Sequence, residues 1–195
     1  MNSLWFEIPG TIFGLICVWL TVRQHIWCWP TGLVSVVLYV VVFYEAKLYS
    51  DLVLQVVYIF MQLYGWYHWL YGGAERTELP MTTQPAVQTL GWWIFALTGS
   101  ALWGYGMATY TDAAAPYWDA FIAVASLVAQ WLMAHKKLES WWFWIAVDCV
   151  AVGVYASKKL YVTTGLYAVF LVLAISGWLA WRKSWLAAAD EPVVV

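Results

Sequence analysis

Asp148 stands in the middle of an apolar stretch, WWFWIAVDCVAVGVY (residues 141–155), that carries no other charge. On a helix, Trp141, Trp144, Asp148 and Tyr155 fall at i, i+3, i+7 and i+14 and share one face. An acid inside such a span costs about 2.5–3.5 kcal/mol on insertion scales, which is tolerable where it faces a protein interior or a wet cavity. Two indole faces beside one carboxylate form a slot suited to something flat and cationic. Other spans add hydrogen-bonding faces. In the third apolar segment Gln55, Tyr58, Gln62, Trp66 and Trp69 recur at i, i+3, i+7, i+11 and i+14. In the fifth, Asp119, Ser126 and Gln130 share a face, with Trp131 adjacent to it. These faces predict a pocket that hydrogen-bonds a polyhydroxy group and stacks a ring. The structural alternative for each glutamine is a bond between helices, worth about 0.6 kcal/mol on average. For Asp119, near a segment start, the alternative is a helix cap.

This chemistry is binding, not covalent catalysis. The chain has no G-x-S-x-G and no H-E-x-x-H, and His25, His68 and His135 are scattered. A membrane enzyme, which needs a nucleophile–base pair, a metal cluster or paired carboxylates, is therefore a remote alternative. Cys17, Cys28 and Cys149 lie in apolar segments without C-x-x-C spacing and read as small core residues. No metal or cofactor is expected. The absence of a G-x-x-x-x-G-K-[ST] loop argues against ATP coupling within this polypeptide.

The elements that position these residues must cross a bilayer. Of 195 residues, 64% are hydrophobic and 10% charged, against roughly 25% charged in a soluble domain, and the mean hydropathy is +0.70. No basic n-region with a cleavage site opens the chain, so no removable signal peptide is expected. A net charge of −2 gives no reason to expect nucleic acid. Seven apolar segments can be cut: 4–22, 28–46, 52–71, 90–110, 118–134, 141–156 and 162–181. Gly72-Gly73 is expected to stop the third, and residues 74–89 read as an exposed polar connector. With seven spans, one side holds Lys47, Lys158 and Lys159, and the other Arg23, Arg76, Lys136, Lys137, Arg182 and Lys183. The more basic side is expected to be cytoplasmic, with the N-terminus outside and the C-terminus inside. Trp27, Trp29, Trp92, Trp93, Trp118, Trp178, Trp181 and Trp185 lie near segment ends and read mainly as an interfacial belt. Trp19, Trp66, Trp131 and Trp144 are the interior candidates.

At a constant offset of 112 residues the two ends of the chain match without a gap, including Trp19/Trp131, Trp29/Trp141, Lys47/Lys159, Gly65/Gly177, Trp66/Trp178 and Trp69/Trp181. Chance would give roughly 0.4 Trp–Trp pairs over the matched span, and four are present. The expected architecture is thus an all-α integral membrane protein of seven transmembrane helices, two parallel three-helix repeats joined by a linker helix. The divisions are 1–73 for the first repeat, 74–117 for connector and linker helix, and 118–195 for the second repeat and a short tail. Two-fold repeats are a transporter signature, with the ligand near the midplane between halves that rock. Asp148 corresponds to Val36 and Gln55 to Tyr167, so the scaffold is duplicated while the polar side chains are not. A single asymmetric ligand would require that.

Three stretches carry a resemblance: LYSDLVLQVVYIFMQLYGWYHW (48–69), WDAFIAVASLVAQWLMAHKKLESWWFWIAVD (118–148) and KKLYVTTGLYAVFLVLAISGW (158–178). With its LY…LQ…YGWY-x-W third helix and W-x-x-W sixth helix, the chain resembles the PnuC family of bacterial vitamin transporters. The resemblance implies a SWEET-like 3+1+3 bundle in the inner membrane. It also implies facilitated diffusion of nicotinamide riboside, trapped afterwards by a cytoplasmic kinase, with thiamine or riboflavin as alternative substrates and a homotrimer as the assembly. Trp141 and Trp144 match the W-x-x-W residues, and Gln55 and Tyr58 the third-helix polar face. Two departures, Gln62 where many members carry asparagine and Ser140 in E-S-W where E-N-W is common, leave the substrate open.

Overall fold

The computed structural model describes residues 4–47, 49–111 and 115–189. Each apolar segment forms a helix: α1 (Leu4–Val22), α2 (Cys28–Glu45), α3 (Tyr49–Tyr71), α4 (Ala86–Tyr110), α5 (Pro116–Ala134), α6 (Ser140–Ser157) and α7 (Tyr161–Ala189). Five of them, α1, α2, α5, α6 and α7, are long and apolar enough to cross a membrane. α3 and α4 have the length, at 23 and 25 residues. Their apolar runs are diluted, by Gln55, Gln62 and His68 in α3 and by Gln88, Thr89, Ser100 and Thr109 in α4.

The chain divides into two compact units, 1–80 and 81–195. In the first, α1 packs on α2 and α2 on α3. Ser35 donates to the Gly10 carbonyl at 2.7 Å, and the Thr11 and Tyr39 hydroxyls lie 2.8 Å apart, so polar bonds fix α1 against α2. Between α2 and α3, Trp29 meets Trp69 edge-to-face at 5.4 Å and 80°. The Trp29 ring lies where a Cβ on Gly65 would be; only a glycine lets the indole reach the α3 backbone.

In the second unit α5 packs on both α4 and α6, and α6 on α7. α4 presents Ala96, Ser100 and Gly104 to the interior, four residues apart and all buried. Such a small-residue stripe lets helix backbones approach closely. The core is Ala96, Ala125, Val128, Ala129, Leu132, Phe143 and Val147, capped by Trp93 stacked on Phe143 at 4.0 Å. Between α6 and α7, Trp141 meets Trp181 edge-to-face at 5.6 Å and 87°, over Gly177. Trp29 and Trp181, expected in the interfacial belt, are therefore core residues, 2% and 0% exposed. Gly65 makes room for the Trp29 ring, and Gly177 for the Trp141 ring against which Trp181 packs, which end-of-segment position alone does not reveal. Trp27, Trp118 and Trp185 are exposed near helix ends, as a belt requires.

The turns are set by residues forced into left-handed backbone: Gln24 and Lys47 in the first unit, Lys136 and Lys159 in the second, with φ between 52° and 60°. Each closes a helix as glycine commonly does. α3 ends at Tyr71 as expected, but neither Gly72 nor Gly73 has positive φ. Gly72 is required instead by the His68 carbonyl, which occupies the place of its Cβ. The connector is only partly exposed. Thr82 donates its N–H to Lys136 O at 3.2 Å and accepts from Leu138 N at 3.0 Å. Lys137 Nζ donates to Thr82 Oγ1 at 2.9 Å and Gln84 N to Glu139 Oε1 at 3.1 Å. Residues 81–84 thus strap the α5–α6 turn. Among the described residues no cysteine forms a disulfide, and only Cys28 is buried; Cys149 is exposed, not in the core.

Candidate functional site

The buried polar side chains separate into two sets. Thr21, Ser35, Thr89, Ser100 and Ser140 each have a protein hydrogen-bond partner. Glu139 accepts from Gln84 through one oxygen. Gln62, Ser126, Gln130 and Asp148, between 4% and 8% exposed, have none among the described residues. Gln55 is half-buried, and its Oε1 is buried without a donor. A buried polar group left unpaired costs about 1–3 kcal/mol, and an unpaired buried charge costs more. Glue between helices has to form a bond, and no bond from these amides is found among the described residues. All five belong to the polar faces read from the sequence.

Asp148 is the ninth of eighteen residues in α6, at the helix midpoint, and 4% exposed. Trp144, one turn earlier and half-buried, packs against the α5–α6 core. Ser126 and Gln130 lie one turn apart on α5, both buried. Tyr155, farther along α6, is half-buried and tilts against Tyr167 of α7 at 5.2 Å. In the first unit Gln62 is 7% exposed and seats against Gly32, while Tyr58 and Trp66 are half-buried on the same helix.

Other sequence candidates sit differently. Trp141 is 1% exposed, and its indole N–H has no acceptor among the described residues, as is true of Trp29. Both pack identically on a glycine and a second tryptophan. Trp131 is 41% exposed, contacts His135 at 4.5 Å, and lines an open apolar groove with Trp92, Phe95, Leu102 and Trp103 of α4. Trp19 is 44% exposed with Arg23 over its ring at 4.3 Å. Neither is interior; for Trp131 the reason is that the α5 face beside Gln130 turns outward. Asp119 does not cap α5, whose N-cap is Ala115. It pairs with Lys158 at 3.4 Å, joining the α5 start to the α6 end. Sequence reading missed Gly32, whose signal was only its exchange for Trp144 in the repeat. Among the described residues no cluster of His, Cys, Asp and Glu could hold a metal ion.

The family model for nicotinamide mononucleotide transporters matches residues 4–183. A nicotinamide riboside transporter PnuC of Escherichia coli (strain K12) is 29% identical over 92% of this chain and 86% of its own length. The riboflavin/roseoflavin transporter RibM of Streptomyces davaonensis is 27% identical over 92% and 85%. A crystal structure of the vitamin B3 transporter PnuC superposes with a TM-score of 0.73 at 25% identity, covering 92% of this chain and 81% of that one. These relatives are transporters, not enzymes, and with several membrane-crossing helices the protein is a multi-pass protein of the bacterial inner membrane. The chain belongs to the nicotinamide mononucleotide transporter family.

Proposed function

We propose that the protein carries nicotinamide riboside across the membrane by facilitated diffusion with alternating access, the nucleoside being trapped afterwards by a cytoplasmic kinase. The observation that carries this reading is Asp148, a buried carboxylate at mid-helix without a partner among the described residues. A pyridinium ring supplies the missing positive charge, and Trp144 supplies a π-face for it. The amides of Gln55, Gln62 and Gln130 are assigned to ribose hydroxyls, with Tyr58, Trp66 and Tyr155 as flanking surfaces. We assign Trp141 to the scaffold and Trp131 to the outer face. RibM, named for riboflavin, supports a second reading in which the ring is a neutral isoalloxazine; thiamine shares the cationic ring and is the third.

The matched helix starts, with 28 and 140, 49 and 161 each 112 apart, support a duplicated 3+1+3 architecture. So do the paired left-handed turns, 24 with 136 and 47 with 159, and the repeated Trp–Trp–Gly packing. Division into 1–73, 74–117 and 118–195, a C-terminus on the cytoplasmic side and a homotrimeric assembly complete the proposal. Counterflow into proteoliposomes with labelled nicotinamide riboside is the direct test. Exchange of the nucleoside is the expected result; exchange of thiamine or riboflavin alone would move the assignment to that vitamin.

A further inference from the structure

Gly32 of α2 is shaped around Gln62. A Cβ built on Gly32 would lie 2.5 Å from Gln62 Nε2, 2.9 Å from its Cδ and 2.9 Å from Cys17 Sγ. The missing side chain is therefore the seat of the Gln62 carboxamide, with the Cys17 thiol of α1 as a second wall. The amide is 7% exposed and makes no hydrogen bond among the described residues, so packing against Gly32 and Cys17 holds it.

The positions 112 residues later show an inverse arrangement. Gly32 becomes Trp144, and both of its neighbours shrink: Gln62 becomes Ala174 and Cys17 becomes Ala129. Ala129 and Ala174 are buried, at 0% and 2% exposure, and Trp144 packs against the cluster that contains Ala129. One position thus governs which group is presented. With glycine on α2, the third helix of the first unit delivers an amide; with tryptophan on α6, the second unit delivers an indole in place of it. Changing position 32 alone would overfill the space.

We infer that Gly32 is a positioning residue that sets the reach of the Gln62 carboxamide toward a hydroxylated ligand, and so tunes substrate specificity. This rests on the assignment of Gln62 to the substrate. Gly32→Ala is expected to displace the carboxamide and weaken nicotinamide riboside binding about tenfold, read by tryptophan quenching. Gln62→Asn retracts the amide by one methylene and frees the side of the Cβ space that the carboxamide fills, leaving the Cys17 thiol, 2.9 Å from that Cβ, to rotate aside. The pair Gly32→Ala/Gln62→Asn is therefore expected to bind as Gln62→Asn alone does, and Gly32→Ala should add nothing in a Gln62→Ala background. Should Gly32→Ala alone not fold, recovery of folding and of Gln62→Asn-level binding in the pair reports the same coupling. Gly32→Ala binding like wild type, or a loss that persists unchanged in the Gln62→Ala background, overturns the inference while leaving Gln62 in the site. Unchanged affinity in Gln62→Ala removes Gln62 from the site and the inference with it. A wild-type protein that binds thiamine or riboflavin instead is titrated with that ligand, and the same coupling decides.

Discussion

At the scale of single residues, function and stability pull against each other at Asp148. A carboxylate buried without a partner is unfavourable in the unliganded protein. Asp148→Asn keeps the shape and removes the charge. It is expected to raise unfolding stability in detergent by about 1–2 kcal/mol while lowering affinity for a cationic-ring substrate by about 2–5 kcal/mol. Thermal unfolding and a quenching titration of one preparation measure both; a stability loss with affinity intact would make Asp148 structural. Trp144→Ala should cost about 0.5–2 kcal/mol of binding through the lost π-face. In the same titration Trp144→Phe should lose less, since a smaller aromatic face remains.

Among elements, the critical contacts are those of α2 with α3 and of α6 with α7. The rings of Trp29 and Trp141 occupy the Cβ places of Gly65 and Gly177. Gly65→Ala and Gly177→Ala are each expected to destabilise the protein by about 1–3 kcal/mol or more through overpacking. Thermal unfolding should show comparable losses for the two, since both contacts have the same geometry. The Asp119–Lys158 pair ties α5 to α6 with both side chains about a third exposed. Surface ion pairs contribute about 0–1 kcal/mol, so Asp119→Asn should shift unfolding only slightly and leave substrate affinity unchanged. A large affinity loss there would extend the site to the helix end.

For the whole molecule, the decisive property is what drives uptake. Facilitated diffusion with intracellular trapping needs no ion gradient. Uptake by cells expressing the transporter should persist when the proton gradient is collapsed, and should fall when the kinase that consumes the nucleoside is removed. The reverse pattern would indicate proton coupling. A reporter fused after residue 195 is expected to report a cytoplasmic C-terminus, which is the orientation the distribution of lysine and arginine predicts.

Most of the secondary structure was legible before any coordinates. Helix starts at Leu4 and Cys28 and ends at Val22, Tyr71, Tyr110 and Ala134 follow from where apolar runs begin and break, because a bilayer requires continuous apolar helix. The internal match at an offset of 112 residues was legible because tryptophan is rare enough for four coincidences to matter. Asp148, Gln62 and Gln130 were legible as suspects, since polarity in an apolar span is expensive wherever it points. Whether they serve a ligand or bond to another helix was not, and that depends on what each side chain meets in three dimensions. Tertiary structure left them unpaired, turned Trp131 outward, buried Trp29 and Trp181, and paired Asp119 with Lys158. The sequence by itself determined which segments become helices and which residues are too polar for them. Only the tertiary structure decided which of those polar groups meet a partner among the described residues, because a partner across a helix interface is set by packing, and packing here depends on glycines such as Gly32, Gly65 and Gly177 whose missing side chains leave no periodic signal.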